Sequence, residues 1–167
     1  MHKIVVAFAA AGLIGLGASA SAAQLSQQDQ SFMKKAAQGN LAEIQGGQLA
    51  AQHGTSSAIK QLGQTLATDH TQMNDQLTQL AQQQGVTLPT TTDSADKRQM
   101  RSVKKLSGRK FDQTFAKDEV ADHQKTIKMF QQEAQNTKDT ALHQWIESGI
   151  PVLQKHLQMA QQAETAG

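Results

Sequence analysis

Residues 57–84 read SAIKQLGQTLATDHTQMNDQLTQLAQQQ, and this stretch decides the fold class. Ile59, Leu62, Leu66, His70, Met73, Leu77 and Leu80 recur at steps of three or four. That spacing lines up one face of a 3.6-residue helix and fits no strand. The same rhythm returns in Ala116, Val120, His123, Ile127, Phe130 and Ala134. It returns again in Leu142, Ile146, Gly149, Leu153, His156 and Ala160. Each of these three stripes carries one histidine at a position meant for the core. A buried imidazole costs free energy unless something bonds it, so its partner is the central question.

Working outward, Ser26 is a cap for a first helix that continues to about Gln52, with Asp29 three residues on. His53-Gly54-Thr55-Ser56 is a stop and a new cap. The second helix runs from Ser57 to Gln84, where Gly85 ends it. Pro89 and a Thr-rich stretch follow, then a short basic helix from about Ala95 to Leu106. Further long helices are expected from Phe111 to Asn136 and from Asp139 or Thr140 to Glu164. Valine and isoleucine runs are missing and no tyrosine is present, so a sheet has nothing to build on. The chain reads as all-α.

Short turns make the first and last helix pairs antiparallel. The connection 85–109 is long enough to recross the length of such a bundle, about 40 Å for helices of this size. One long crossover in a four-helix bundle is the ferritin-like arrangement, and that is the expected fold, with a long irregular loop as the alternative.

Residues 1–23 read as a secretory signal peptide: Lys3 in a short basic start, an apolar run from Ile4 to Leu16, then small residues offering cleavage after Ala22 or Ala23. The apolar run is short for a membrane span and no second one follows. Residues 24–167 then form one domain, expected to be periplasmic or secreted. The chain has no cysteine, hence no lipid-attachment site, disulfide or thiol chemistry. A net charge of +2 says little about partners. Lys97, Arg98, Arg101, Lys104, Lys105, Arg109 and Lys110 make the segment Lys97–Lys110 basic; it reads either as a weak contact to an anionic envelope surface or as a solvated helix face. No aromatic residue interleaves it, so nucleic-acid binding has no support. No nucleophile–base pair or phosphate-binding loop occurs, and nothing in the sequence sets the oligomeric state.

In an antiparallel hairpin, residues equidistant from the turn lie at one height. Glu43 and His70 are centred on residues 56–57, and His123 and His156 on residues 139–140, both inside the expected turns. Glu43, His70, His123 and His156 are therefore expected in one mid-bundle layer, one per helix, which is how bundles build metal sites. Three imidazoles and a carboxylate suit zinc, iron, manganese or copper. The chain has no Glu-x-x-His motif and too few inward carboxylates for a di-iron site. Met73 and Met159 each follow a stripe histidine by three residues, a pattern that suits copper or plain core filling. Asp69 and Asp122 each precede a histidine and are read either as surface ion pairs or as orienting acceptors for a neighbouring helix's imidazole. His53 and His143 are expected at the surface. The alternative to a metal is a structural or interaction module whose polar core is satisfied by hydrogen bonds and water; a metal-dependent oxidoreductase is the third reading.

Several blocks then carry a resemblance. Phe32-Met33, Ala36-Ala37, Gly39-Asn40 and Ala42-Glu43-Ile44 open it; Leu49-Ala50, Asp69-His70-Thr71, Leu80-Ala81, Gly85 and Leu88-Pro89 follow. Leu106-Ser107-Gly108, Phe111-Asp112, Asp122-His123 and Ile150-Pro151-x-Leu153-x-x-His156-Leu157 complete it. The pattern is similar to the bacterial domain-of-unknown-function family 4142, often labelled predicted outer membrane protein. The resemblance implies a secreted ferritin-like bundle with motif positions at Glu43, Asp69, His70, Asp122, His123, Pro151 and His156. Helical stripes of this kind cannot form an outer-membrane barrel.

Overall fold

Ser26 opens the first helix with a reciprocal cap: its hydroxyl accepts from the Asp29 amide, and the Asp29 carboxylate accepts from the Ser26 amide. The computed structural model describes residues 25–166, and all of its regular structure is helical. α1 spans Gln27–His53, α2 Ser57–Gln83, α3 Ser94–Val103, α4 Gly108–Asn136 and α5 Thr140–Ala166. The Ser56 hydroxyl caps α2 and the Asp139 carboxylate caps α5 at the Leu142 amide. Gly85 closes α2 at φ +68°, a left-handed conformation that lets the Val86 amide reach back to the Ala81 carbonyl at 2.8 Å.

The described residues form four long helices and the short one expected within the connection, five in all. α3 is an ordered helix inside the connection, capped by Asp93 and resting on α1 and α4. It forms because Asp93 accepts from the Ala95 and Asp96 amides, and Val103 gives it one buried anchor. α1 packs mainly on α2 and α4 on α5, with α2 and α5 joining the two pairs.

Two apolar clusters fill the interior. One gathers Phe32 and Met33 of α1, Leu77 of α2, Phe130 of α4 and Trp145, Ile146 and Leu153 of α5. The other gathers Ala50, Leu62, Leu66, Phe111, Phe115, Ala116 and Ala160. Along every long helix the apolar run is interrupted at the same level: by Asn40 and Glu43 on α1, His70 on α2, Glu119 and His123 on α4, and His156 on α5. That level is the candidate site.

Asp112 ties the start of α4 to the α1–α2 turn. Its carboxylate accepts from the Thr55 amide at 2.9 Å, the Thr55 hydroxyl at 2.6 Å and the Ser56 amide at 2.8 Å. The first turn of α4 is thereby tied to the α1–α2 turn, which sets the height of His123 against His70. Burial opposes ionisation there, but those hydrogen bonds outweigh it and hold the Asp112 carboxyl below its ordinary range.

Candidate metal centre

His70, His123 and His156 are 2%, 1% and 0% exposed. Their ring centroids stand 5.8, 5.1 and 5.4 Å apart, for the pairs His70–His123, His70–His156 and His123–His156. One ring nitrogen from each falls within 4.8 Å of the other two.

Which nitrogens these are follows from the outer contacts. The Nδ1–H of His123 donates to the Glu119 carbonyl oxygen at 3.0 Å, one turn earlier on α4. A carbonyl only accepts, so the neutral ring keeps its lone pair on Nε2. The Nε2–H of His156 donates to Asp69 Oδ2 at 2.9 Å, leaving the lone pair on Nδ1. His123 Nε2 and His156 Nδ1 then face each other at 3.4 Å, two acceptors with no proton between them. On His70, Nδ1–H donates to Asn40 Oδ1 at 3.0 Å, and Nε2 is buried without a partner. Three lone pairs thus converge from α2, α4 and α5. Each ring is oriented by an acceptor behind it, as bound histidines are in metalloproteins.

Electrostatics keep the His70 and His156 rings in this form. Burial, helped by the neighbouring His156 and His123, holds His70 well below the ordinary imidazole range. Burial likewise outweighs the Asp69 carboxylate and brings His156 down to about 4. Asp69 is held below its usual range, because its hydrogen bonds from His156 and Lys155 overcome its partial burial.

Glu43 lies elsewhere in the layer. It groups with Glu119 and His123, whose ligand-type atoms again fall within 4.8 Å of one another. Glu119 Oε2 stands 3.4 Å from His123 Nδ1. Burial, with the Asp122 and Asp118 charges, pushes the Glu119 carboxyl up to about 8 against its bond with Glu43. Burial and then the Glu119 charge raise Glu43 well above the carboxylate range, against the pull of His123.

The remaining sequence candidates separate. Asp69 takes up the orienting role across the α2–α5 contact while also pairing with Lys155 at 3.0 Å. Asp122 accepts from Gln99 of α3 at 3.2 Å. Met73 is in the first apolar cluster and its carbonyl accepts from the Trp145 indole; Met159 packs against the second cluster. His53 and His143 are exposed. Asn40, Glu43, His70 and His123 all line a cleft of about 730 Å³ that reaches the layer past α1 and α4. The trio is therefore enclosed by protein, with His70 and His123 bordering this cleft and His156 set behind them.

A family model described as Domain of unknown function (DUF4142) matches residues 15–163. The chain belongs to this family. No curated protein and no solved structure gives a significant match. Among the described residues of this DUF4142 protein, no helix is long and apolar enough to cross a membrane. Residues 1–23, read as a signal peptide, lie outside the described residues.

Asn40 and Glu119 are the site residues that sequence reasoning passed over. Both had a signal: each is a polar residue on the buried face of its helix, one turn before Glu43 and His123 respectively. An amide and a second carboxylate do not announce themselves as partners until the rings they serve have been located.

The layer makes the metal-free DUF4142 protein sensitive to pH in two opposing ways. His70 and His156 are held below the imidazole value of 6.5, so the unfolded chain binds more protons once pH falls below it, and their contribution is lost as pH falls, that of His156 through about 4. Glu43 and Glu119 are held above 4.5, so the folded chain binds more protons, and their contribution is lost as pH rises above 4.5, that of Glu119 through about 8. Between 6.5 and 8 only the carboxyl contribution of these four groups is changing. Urea unfolding of metal-free protein is expected to show stability falling over that interval, and Glu119→Gln to flatten the fall. An unchanged slope in the variant would count against a buried acid at this position.

Proposed function

We propose that this protein is an exported, ferritin-like helical bundle that binds one transition-metal ion through His70 Nε2, His123 Nε2 and His156 Nδ1. The observation that carries the reading is the convergence of three acceptor lone pairs, each fixed by a hydrogen bond on the far side of its ring. A water molecule at the centre offers two protons to three acceptors and leaves one unsatisfied. A cation satisfies all three. A proton on one ring is the other remedy, and the burial of His70 and His156 opposes it.

Three imidazoles with a further position toward the cleft suit zinc first, in the open tetrahedral manner, and also copper, iron or manganese. Glu43 and Glu119 stand behind His123, where they act on the ring and its polarity. The ferritin-like reading treats α1, α2, α4 and α5 as the bundle and residues 84–107 as its crossover. It is supported by α2 ending in one apolar cluster and α4 beginning in the other. Export rests on the leader-like residues 1–23, and the exposed basic residues of Lys97–Lys110 give the exported domain a weak attraction to anionic envelope surfaces.

The test is metal analysis of tag-free protein exposed in turn to zinc, copper, iron and manganese and then dialysed. About one equivalent of zinc or copper is expected in wild type, as a three-histidine site implies. His70→Ala, His123→Ala and His156→Ala should each lose it. Less than about a tenth of an equivalent of every metal in wild type would leave the hydrogen-bonded polar core as the better account, since a site with these donors retains zinc through dialysis.

A further inference from the structure

Five carboxylates line one small cleft beside the histidine trio: Glu43 of α1, Asp96 of α3, and Asp118, Glu119 and Asp122 of α4. The cleft measures about 60 Å³, and no lysine, arginine or histidine lines it. Asp96, Asp118 and Asp122 are half-buried, so water screens them only in part. Like charges gathered in this way repel unless a counter-charge is supplied.

The floor of the cleft supplies a second, independent observation. The Glu119 side chain is 10% exposed, and its Oε2 is inaccessible to solvent with no hydrogen-bond partner. Glu43 Oε2 is in the same condition. The facing wall is Gly46, where a Cβ would stand 3.9 Å from Glu119 Oε1 and 3.6 Å from the Met100 methyl. The missing side chain leaves Glu119 Oε1 facing the cavity, while Oε2 of the same carboxylate lies on the His123 side. One proton shared between the two glutamates would occupy the floor, while Asp96 and Asp118 are offset only in part by the Lys125 and Lys117 charges from outside the cleft and Asp122 by the Gln99 amide.

We infer that this cleft is a second cation site, formed by the carboxylates of Glu43 and Glu119 with Asp96, Asp118 and Asp122 around them, and that it takes a hard divalent ion of the calcium, magnesium or manganese class. Oxygen donors select such ions, as imidazole nitrogens select zinc and copper. The His123 Nδ1–H is committed to the Glu119 carbonyl, so the second site is built from oxygen alone. The two sites flank one imidazole: Nε2 belongs to the trio, and Nδ1 stands beside Glu119. Because the donor sets differ, this inference does not depend on metal binding by the histidines.

Titrating the metal-free full chain with Mn²⁺, and following the free-ion signal by electron paramagnetic resonance, tests it. Wild type and His156→Ala are both expected to take up about one Mn²⁺ that Ca²⁺ displaces, as an all-oxygen site requires, whatever further Mn²⁺ the histidines of wild type hold. Glu119→Gln and Glu43→Gln are each expected to weaken uptake by at least about tenfold, the scale on which single groups of a metal site act. Both changes are isosteric, and circular dichroism checks that the variants remain helical. Asp96→Asn/Asp118→Asn, at half-buried positions, carries the same test should a buried variant fail to fold. Three outcomes overturn the inference: no saturable Mn²⁺ uptake by wild type, uptake unchanged in folded glutamate variants, or uptake abolished by His156→Ala. Zinc retention, measured separately, tells failure here from failure of the histidine site.

Discussion

Saturating zinc is expected to raise the thermal unfolding midpoint of the wild-type protein by roughly 10 °C, and that of His123→Ala by almost nothing. The size follows from linkage. A ligand that binds only the folded state stabilises it by about 4 kcal/mol at a thousandfold excess over its dissociation constant. For a domain of this length each kcal/mol moves the midpoint by roughly 2–4 °C. The donors come from α2, α4 and α5, and no short segment of the unfolded chain reproduces the site, so little of the effect is lost to binding in the unfolded state. His123→Ala without metal combines two opposing changes, because it opens a cavity and also removes one of the unsatisfied acceptors. The informative quantity is therefore the zinc-dependent shift, measured by calorimetry in both proteins. Equal shifts would place the zinc somewhere other than the trio.

The second large effect lies in the α1–α2 contact. A Cβ built on Gly63 would stand 2.5 Å from the Gly47 carbonyl oxygen and 2.6 Å from the Ala51 amide nitrogen. One on Gly47 would stand 2.6 Å from the Gly63 carbonyl oxygen and 2.7 Å from the Ala67 nitrogen. These obstacles are backbone atoms of the facing helix, so no rotamer change relieves them and the helices must separate. Separation would loosen the packing of Ala50 and Leu66, both fully buried beside the contact. Gly63→Ala and Gly47→Ala are each expected to destabilise the protein by about 3 kcal/mol or more, although alanine favours a helix by about 1 kcal/mol. Gly39 is the control: nothing lies within 4 Å of its Cβ position, so Gly39→Ala should gain about 0.5–1 kcal/mol. Urea midpoints decide the matter, and a Gly63→Ala protein as stable as wild type would refute the close approach.

These two predictions divide along what was legible in the chain. The stripes of α2, α4 and α5 were readable because helical periodicity is local: Leu66, His70 and Met73 are related by backbone geometry alone. Caps such as Ser26, Ser56 and Asp139 were readable for the same reason. Hairpin arithmetic then brought the three histidines to one level, since antiparallel helices joined by a short turn leave little freedom of height. It also brought Glu43 to that level, but height does not determine direction around a helix. Glu43 stands with Glu119 and His123, on the α1–α4 side of the layer. Gly47 and Gly63 carried no signal as a pair, because a missing side chain marks a contact only when the facing backbone is known.

By itself, the sequence determined an all-helical chain with three inward histidines and the family to which it belongs. The tertiary structure decided the chemical state of those histidines. A ring's tautomer depends on what stands behind it, and here two of the acceptors arrive from other helices: Asn40 for His70 and Asp69 for His156. Only their arrival turns three buried imidazoles into three lone pairs aimed at one point.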